Sequence, residues 1–94
     1  MRKTIVTQTI YGQIPVKATV RKWLAINRHE GDYWVVTHAP SGLKIPGYFP
    51  TKREAIAASK VARRVFPYPL NRELAPTQKQ WFQFLEKEQI KFVN

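Results

Sequence analysis

The 94 residues carry a formal net charge of +10, from 16 Lys and Arg against 6 Asp and Glu, and are enough for one domain, residues 1–94, with a modest core. The chain has no cysteine, which excludes disulfides and thiolate metal sites. No segment resembles a signal peptide or approaches the roughly 20 apolar residues of a membrane span, so we expect a soluble, cytoplasmic protein.

Four extended segments are predicted before the first helix. Residues 4–10 are rich in β-branched side chains, residues 16–27 form a longer run, and residues 33–38 are dense in β-formers. Residues 43–49 form the last segment, which Pro46 and Gly47 weaken, so it is expected at a sheet edge or with a bulge. The pattern predicts three or four antiparallel strands.

The segment 16–27 alternates in polarity, as expected for a strand with two different faces. One face would carry Val16, Ala18, Val20, Lys22, Leu24 and Ile26. The other would carry Lys17, Thr19, Arg21, Trp23, Ala25 and Asn27. The loop that follows contains Gly31, which can take a positive φ, so residues 16–27 and 33–38 are predicted to form a hairpin.

A helix over residues 52–66 is predicted from its start signal and its periodicity. Thr51 and Glu54 fit a capping box. The face predicted to cover the sheet carries Ala55, Ala58, Ala62, Val65 and Phe66. A second face carries Lys52, Arg53, Lys60, Arg63 and Arg64 and no acid. This basic face is either a binding surface or a solvated face whose last-turn cations suit the helix dipole.

A proline-rich connector and a second helix complete the chain. Residues 71–74 could form one helical turn, and Thr77 with Gln80 fits a capping box that opens a helix over residues 78–88. Its predicted apolar side carries Trp81, Leu85 and Phe92, widened by Phe82 and Phe84. Residues 89–93 could extend the helix or form a short final strand. The fold class is therefore α+β: a three- to four-stranded antiparallel sheet covered by one helix, with a second C-terminal helix.

Few residues are spaced for catalysis or metal binding. His29 and His38 have no Cys, Asp or Glu at metal-ligand spacing. Glu86 and Glu88 lie two apart on a helix and do not face each other, and no glycine-rich phosphate loop is present. We expect no enzymatic activity, metal, cofactor or small-molecule substrate.

Cations interleave with aromatic residues in the predicted hairpin. Arg21, Trp23 and Tyr33 could share the sheet face away from the helix, where cations beside flat rings suit phosphate contact and base stacking. Alternatively, Trp23 or Tyr33 packs under the second helix, while Trp34 belongs to the core with Val36. The candidate nucleic-acid-binding residues are Lys17, Arg21, Trp23, Lys52, Lys60, Arg63 and Arg64.

Residues 48–55, Tyr-Phe-Pro-Thr-Lys-Arg-Glu-Ala, open a helix after several strands. This region resembles the arm-type DNA-binding domain of phage tyrosine integrases, and also the small hybrid-binding domain at the N-terminus of some ribonucleases H. The resemblance covers about 35 residues and implies a three-stranded sheet with a helix across one face that binds nucleic acid. The resemblance places Lys17, Arg21 and Trp23, or residues of the next strand, on the sheet face that contacts the nucleic acid. The extra N-terminal strand, Pro46 and the C-terminal aromatic helix depart from that pattern.

Two functions of different classes fit the sequence. A pI of about 10.3 and the clustered cations favour a small nucleic-acid-binding protein, with DNA preferred over RNA. The alternative is a protein-interaction module, an adaptor or inhibitor of the kind that a phage or mobile element encodes, whose basic surface and aromatic C-terminal helix meet an acidic protein. A membrane partner is not expected.

Overall fold

In a computed structural model that describes residues 2–9, 12–29, 31–66 and 73–93, five strands precede two helices. The strands are β1 (Arg2–Thr9), β2 (Gly12–Arg21), β3 (Leu24–Arg28), β4 (Trp34–His38) and β5 (Leu43–Lys44). The helices are α1 (Lys52–Val65) and α2 (Gln78–Lys87). The predicted α+β class is confirmed, with five strands instead of three or four. No helix among the described residues combines the length and apolar character needed to cross a membrane.

The strands form one antiparallel sheet in the order β1-β2-β3-β4-β5, with each strand paired to its neighbour in sequence. The edge strands β1 and β5 also contact each other, so the sheet curls. β1 starts earlier than predicted and pairs along its whole length with β2. The predicted end of the first strand at Ile10 lies outside the described residues.

The predicted single strand over residues 16–27 is wrong. A tight turn at Lys22 and Trp23 divides this segment into β2 and β3, and Arg21 pairs with Leu24 across it. Lys22 adopts a φ of 59°, a left-handed conformation that is uncommon outside glycine. Because the chain reverses here, the two faces predicted for residues 16–27 are not continuous through the turn.

The register of β2 and β3 assigns residues to the two faces of the sheet. Thr19 pairs with Ile26, and cross-strand partners share a face. Ile26 belongs to the main core beneath α1, whereas Ala18 and Ala25 belong to a second, smaller cluster with Ile5. The α1 side of β2 therefore carries Lys17, Thr19 and Arg21. The sheet has apolar contacts on both faces, since its curl encloses the smaller cluster.

Helix α1 covers β3 and β4 with small side chains. Thr51 caps its first turn, since its side chain accepts a hydrogen bond from the Glu54 amide at 3.1 Å. The capping box is only half formed, because the Glu54 carboxylate accepts from the Lys91 amide at 3.1 Å instead. The buried helix residues are Ala55, Ala58, Ser59, Val61 and Ala62. Val65 is half-buried, and Phe66 is the C-cap instead of a helical residue.

The segment after β5 is irregular, as Pro46 and Gly47 predict. Regular pairing stops at Lys44, although the Ile45 amide still donates to the Val36 carbonyl at 2.8 Å, and the chain rejoins the sheet through a bridge between Phe49 and Trp34. Phe49 is fully buried in the main core. This segment positions Thr51 and the start of α1 beside the β3–β4 end of the sheet.

Helix α2 closes the main core with Trp81 and Leu85, both fully buried. Its capping box at Thr77 and Gln80 is complete, and the Trp81 indole donates to the Pro46 carbonyl at 2.8 Å. The helix ends at Lys87, one residue earlier than predicted, and Glu88 is its C-cap. Beyond it, residues 89–93 form neither the helix extension nor the short strand that the sequence offered, and pair with the chain only at an isolated bridge from Val93 to Tyr48.

Candidate nucleic-acid interface

Cations of β2 and of α1 lie on the same side of the sheet. Arg21 pairs with Leu24, whose side chain lies in the core beneath α1, so Arg21 and Lys17 share the face that α1 partly covers. The sequence predicts these two residues on the opposite face, and that prediction is wrong because of the turn at Lys22. The α1 helix packs on β3 and β4 and leaves β2 beside its flank.

An open groove lies between β2 and the N-terminal end of α1. We call it the N-terminal groove; it has a volume of about 470 Å³ and is lined by Thr4, Lys17, Ala18, Thr19, Ile26, Asn27, Arg28, Trp34 and Lys52. The Lys52 ammonium lies 5.7 Å from the centroid of the Trp34 ring, within cation–π range. Three cations, Lys17, Arg28 and Lys52, therefore line the same groove as one half-buried aromatic ring.

A second depression lies at the other end of α1. We call it the C-terminal hollow; it has a volume of about 600 Å³ and is lined by Lys22, Trp23, Lys60, Arg63 and Arg64. Along α1, Lys52 of the N-terminal groove is followed 8 to 12 residues later by Lys60, Arg63 and Arg64 of the hollow, a separation of about 15 Å at 1.5 Å per residue. Six of the seven predicted site residues line one of these two depressions, namely Lys17, Trp23, Lys52, Lys60, Arg63 and Arg64.

Trp23 lies in the turn between β2 and β3 instead of on the outer sheet face that the sequence predicts. Its indole donates to the carbonyl of Phe66, the C-cap of α1, at 3.1 Å. Its own carbonyl accepts from the Ala39 amide at 2.9 Å. The half-buried ring packs against the main core. Trp23 therefore joins the turn to the end of the helix, and only part of it faces the C-terminal hollow.

Among the described residues, some cations on the α1 side of the sheet form ion pairs and others do not. Arg64 pairs with Glu88 at 3.2 Å, and Arg28 pairs with Asp32 at 3.3 Å. Both pairs are exposed, and such pairs contribute little to stability, so a phosphate could displace either carboxylate. Within the described residues, no ion pair is found for Lys17, Lys52, Lys60 or Arg63. No described acidic residue lines either depression.

Tyr33 lies apart from Arg21 and Trp23, with which the sequence groups it. It is 41% exposed and contacts Tyr48, whose ring centroid lies 6.3 Å away. His29 and Lys44 also lie against the Tyr48 ring, with the Lys44 ammonium 4.3 Å from its centroid. Burial of this amine lowers the pKa of Lys44. These four residues form a separate cluster at the loop end of the β3–β4 hairpin.

The sequence reasoning missed three residues that line the two depressions: Lys22, Arg28 and Trp34. The sequence pattern places Lys22 on a mostly apolar strand face, Arg28 in the loop after that strand, and Trp34 in the core. The alternating β-strand pattern could have revealed Arg28, which continues the Lys17 face once the turn at Lys22 is known. Arg21 is exposed on the same side of the sheet and lines neither depression.

Each of the two histidines contacts a neighbouring side chain of the protein. His38 is buried, and its Nδ1 lies 2.9 Å from the Ser41 hydroxyl and accepts from the Ser41 amide at 3.3 Å. His29 is exposed beside Tyr48. Across the described ranges no group of three or more His, Cys, Asp or Glu residues is arranged to hold a metal ion. No protein-family model, curated protein or solved structure matches the chain.

Proposed function

We propose that this protein is a non-enzymatic nucleic-acid-binding protein that contacts the phosphates of duplex DNA along α1 and β2. The observation that carries the proposal is the position of Lys17, Lys60 and Arg63 on one side of the sheet, without carboxylate partners among the described residues. The resemblance to arm-type domains implies contact through the sheet residues Lys17, Arg21 and Trp23, whereas in the proposed surface α1 lies on the basic side and would itself contact DNA.

The dimensions of the surface suit a nucleic-acid backbone. The α1 residues of the N-terminal groove and of the C-terminal hollow lie about 15 Å apart, and one DNA strand advances 3.4 Å per phosphate along the axis, so the two sites are roughly four to five phosphates apart. Such contacts fix the position of the protein without reading base sequence. We therefore expect binding that tolerates different sequences and weakens steeply with salt.

A mobility-shift titration of generic duplex DNA over a range of salt concentrations tests the proposal. Replacing Lys17, Lys60 and Arg63 together by Gln should reduce the slope of log affinity against log salt by about 2.7, since each lost phosphate contact removes about 0.9. The affinity at physiological salt should fall below detection. These side chains are at least partly exposed, so the variant should remain folded.

A second triple variant controls for net charge. Lys79, Lys87 and Lys91 are exposed on α2 and the segment after it, and line neither depression. Replacing all three by Gln removes the same total charge, yet should change the slope by much less than the first variant does. Equal losses in both variants would show diffuse attraction by net charge, and the proposed surface would be rejected.

A protein-interaction module is the second candidate function. Leu74 and Phe84 favour it, because both are exposed, at 74% and 39%, and line one depression beside α2. Other aromatic residues of the C-terminal region pack within the protein. The Phe82 and Phe92 rings stack on each other with centroids 4.7 Å apart, and Trp81 is fully buried. A wild-type protein that binds no DNA at low salt would make this second function the leading one, with an acidic protein as partner.

A further inference from the structure

The N-terminal groove differs in chemistry from the rest of the basic surface. Its lining combines three cations, the polar side chains of Thr4 and Thr19, and the ring of Trp34. Along α1 and in the C-terminal hollow, cations dominate, and the aromatic ring of Trp23 is tied to Phe66 by its indole hydrogen bond. The groove volume of about 470 Å³ lies within the range of small-ligand sites.

The backbone of Trp34 is fixed by hydrogen bonds, while part of its ring is exposed in the groove. Its backbone is fixed by hydrogen bonds in both directions to Phe49, at 2.7 and 2.8 Å. The ring is half-buried, packs against the main core and also lines the groove. On the groove side its neighbour is the flexible Lys52, whose ammonium lies 5.7 Å from the ring centroid. A lysine over a tryptophan can be displaced by a flat aromatic ring, which stacks on the same surface.

We infer that the N-terminal groove binds one unstacked nucleotide of a nucleic-acid strand, with its base against Trp34 and its phosphate between Lys17 and Lys52. The inference rests on the proposed function and names a second class of ligand for the same protein, a single strand or a frayed end. Lys52 leaves the indole face when the base enters and contacts the phosphate instead. Arg28 adds a third cation once its exposed pair with Asp32 opens.

This arrangement assigns different roles to the two ends of α1. The duplex backbone follows the cations of the helix toward Lys60 and Arg63, while the groove accepts a base that has left the stack. Bases stack on aromatic side chains with little dependence on sequence, because every base has a π-face. Selection in the groove would therefore be for strand state and not for base identity.

Tryptophan fluorescence during titration with a ten-nucleotide thymidine strand tests the inference. Wild-type protein should be quenched on saturation, and Trp34→Phe should lose that quenching while still binding the strand, because the smaller ring can stack. Trp23→Phe is the matched control and should retain the quenching. Trp81 is fully buried and adds a constant background. Quenching that persists in Trp34→Phe, or disappears in Trp23→Phe, would overturn the inference.

Affinity measurements separate the groove from the helix surface. Trp34→Leu should weaken single-strand binding about tenfold, and Lys17→Gln should reduce its salt slope by about 0.7. Arg63→Gln should leave the quenching of Trp34 at saturation unchanged. Inorganic phosphate at the same concentration should not quench Trp34, since it brings no ring to the indole; quenching by phosphate would refute base stacking.

The outcome distinguishes this inference from the proposed function. Duplex binding that depends on Lys60 and Arg63, together with a fluorescence signal that no single strand alters, would reject the groove as a nucleotide site and leave the duplex function standing. Quenching at Trp34 by the single strand, without duplex binding at low salt, would support the groove and reject the duplex function. If the single strand causes no quenching and duplex DNA does not bind at low salt, both the groove inference and the duplex function are rejected.

Discussion

Trp23 gives the sharpest test of the interface, because its two possible roles predict different measurements. Its indole donates to the Phe66 carbonyl at 3.1 Å. Trp23→Phe retains most of the ring and removes the donor. A hydrogen bond of this kind contributes about 1 kcal/mol to stability. For a domain of this length, 1 kcal/mol corresponds to a fall in melting temperature of about 4–8 °C.

The contacts of Phe66 explain why this hydrogen bond should matter to the whole fold. The Phe66 amide donates to the Ala62 carbonyl at 2.7 Å and ends α1. The Phe66 ring also packs edge-on against Trp81, with centroids 5.2 Å apart. Trp23 thus links the β2–β3 turn to the end of α1 and, through Phe66, to the core residue of α2.

Thermal unfolding of Trp23→Phe, followed by circular dichroism, measures the loss of stability. Trp34→Phe is the matched control, since the Trp34 indole makes no hydrogen bond within the described part of the chain, and its melting temperature should fall less. Trp23→Leu completes the test, because leucine can pack but cannot stack on a base. Its duplex affinity and salt slope should equal those of the wild type at temperatures well below melting.

Two results would refute this reasoning. A wild-type melting temperature for Trp23→Phe would mean that the hydrogen bond to Phe66 contributes nothing. A folded Trp23→Leu with about tenfold weaker DNA binding at an unchanged salt slope would favour Trp23 as a stacking platform, one of the two roles that the sequence leaves open, because stacking is nearly independent of salt.

Two further predictions test the placement of α1 in thermal or denaturant unfolding. Thr51→Ala removes the acceptor for the Glu54 amide and should cost about 1 kcal/mol, and an unchanged midpoint would place the start of the helix elsewhere. Ala58 is fully buried against the sheet, so Ala58→Leu should cost about 1–3 kcal/mol through overpacking. Ala57→Leu, at a half-buried position of the same helix, should cost less, and equal costs would contradict the assigned face.

Both helices could be predicted from sequence because their signals are local. Thr51 and Thr77 each precede a periodic apolar pattern, and each caps the helix that follows. The irregular segment after β5 follows from Pro46 and Gly47 in the same way. The partner of the Glu54 carboxylate could not be predicted, since it is the Lys91 amide, 37 residues along the chain.

The turn between β2 and β3 could not be predicted, because its residues carry no turn signal. Neither Lys22 nor Trp23 is a Gly, Pro, Asn or Asp, and the flanking residues are good strand formers. The left-handed backbone of Lys22 costs roughly 1–2 kcal/mol for a residue with a Cβ atom. Packing of Trp23 on the core and its two hydrogen bonds offset that cost, and these contacts are made with residues distant in sequence.

That turn also decides where the basic surface lies. Side chains alternate along a strand, so an unbroken segment 16–27 would set Lys17 and Arg21 on the face opposite Leu24 and Ile26, away from α1. The two-residue turn instead pairs Arg21 with Leu24 and Thr19 with Ile26. Lys17 and Arg21 consequently lie on the α1 side, next to Lys52 and the rest of the helix cations. One strained residue thereby brings two basic faces, which the sheet would otherwise separate, to one side of the sheet, and this is the surface that we propose to contact a nucleic-acid backbone.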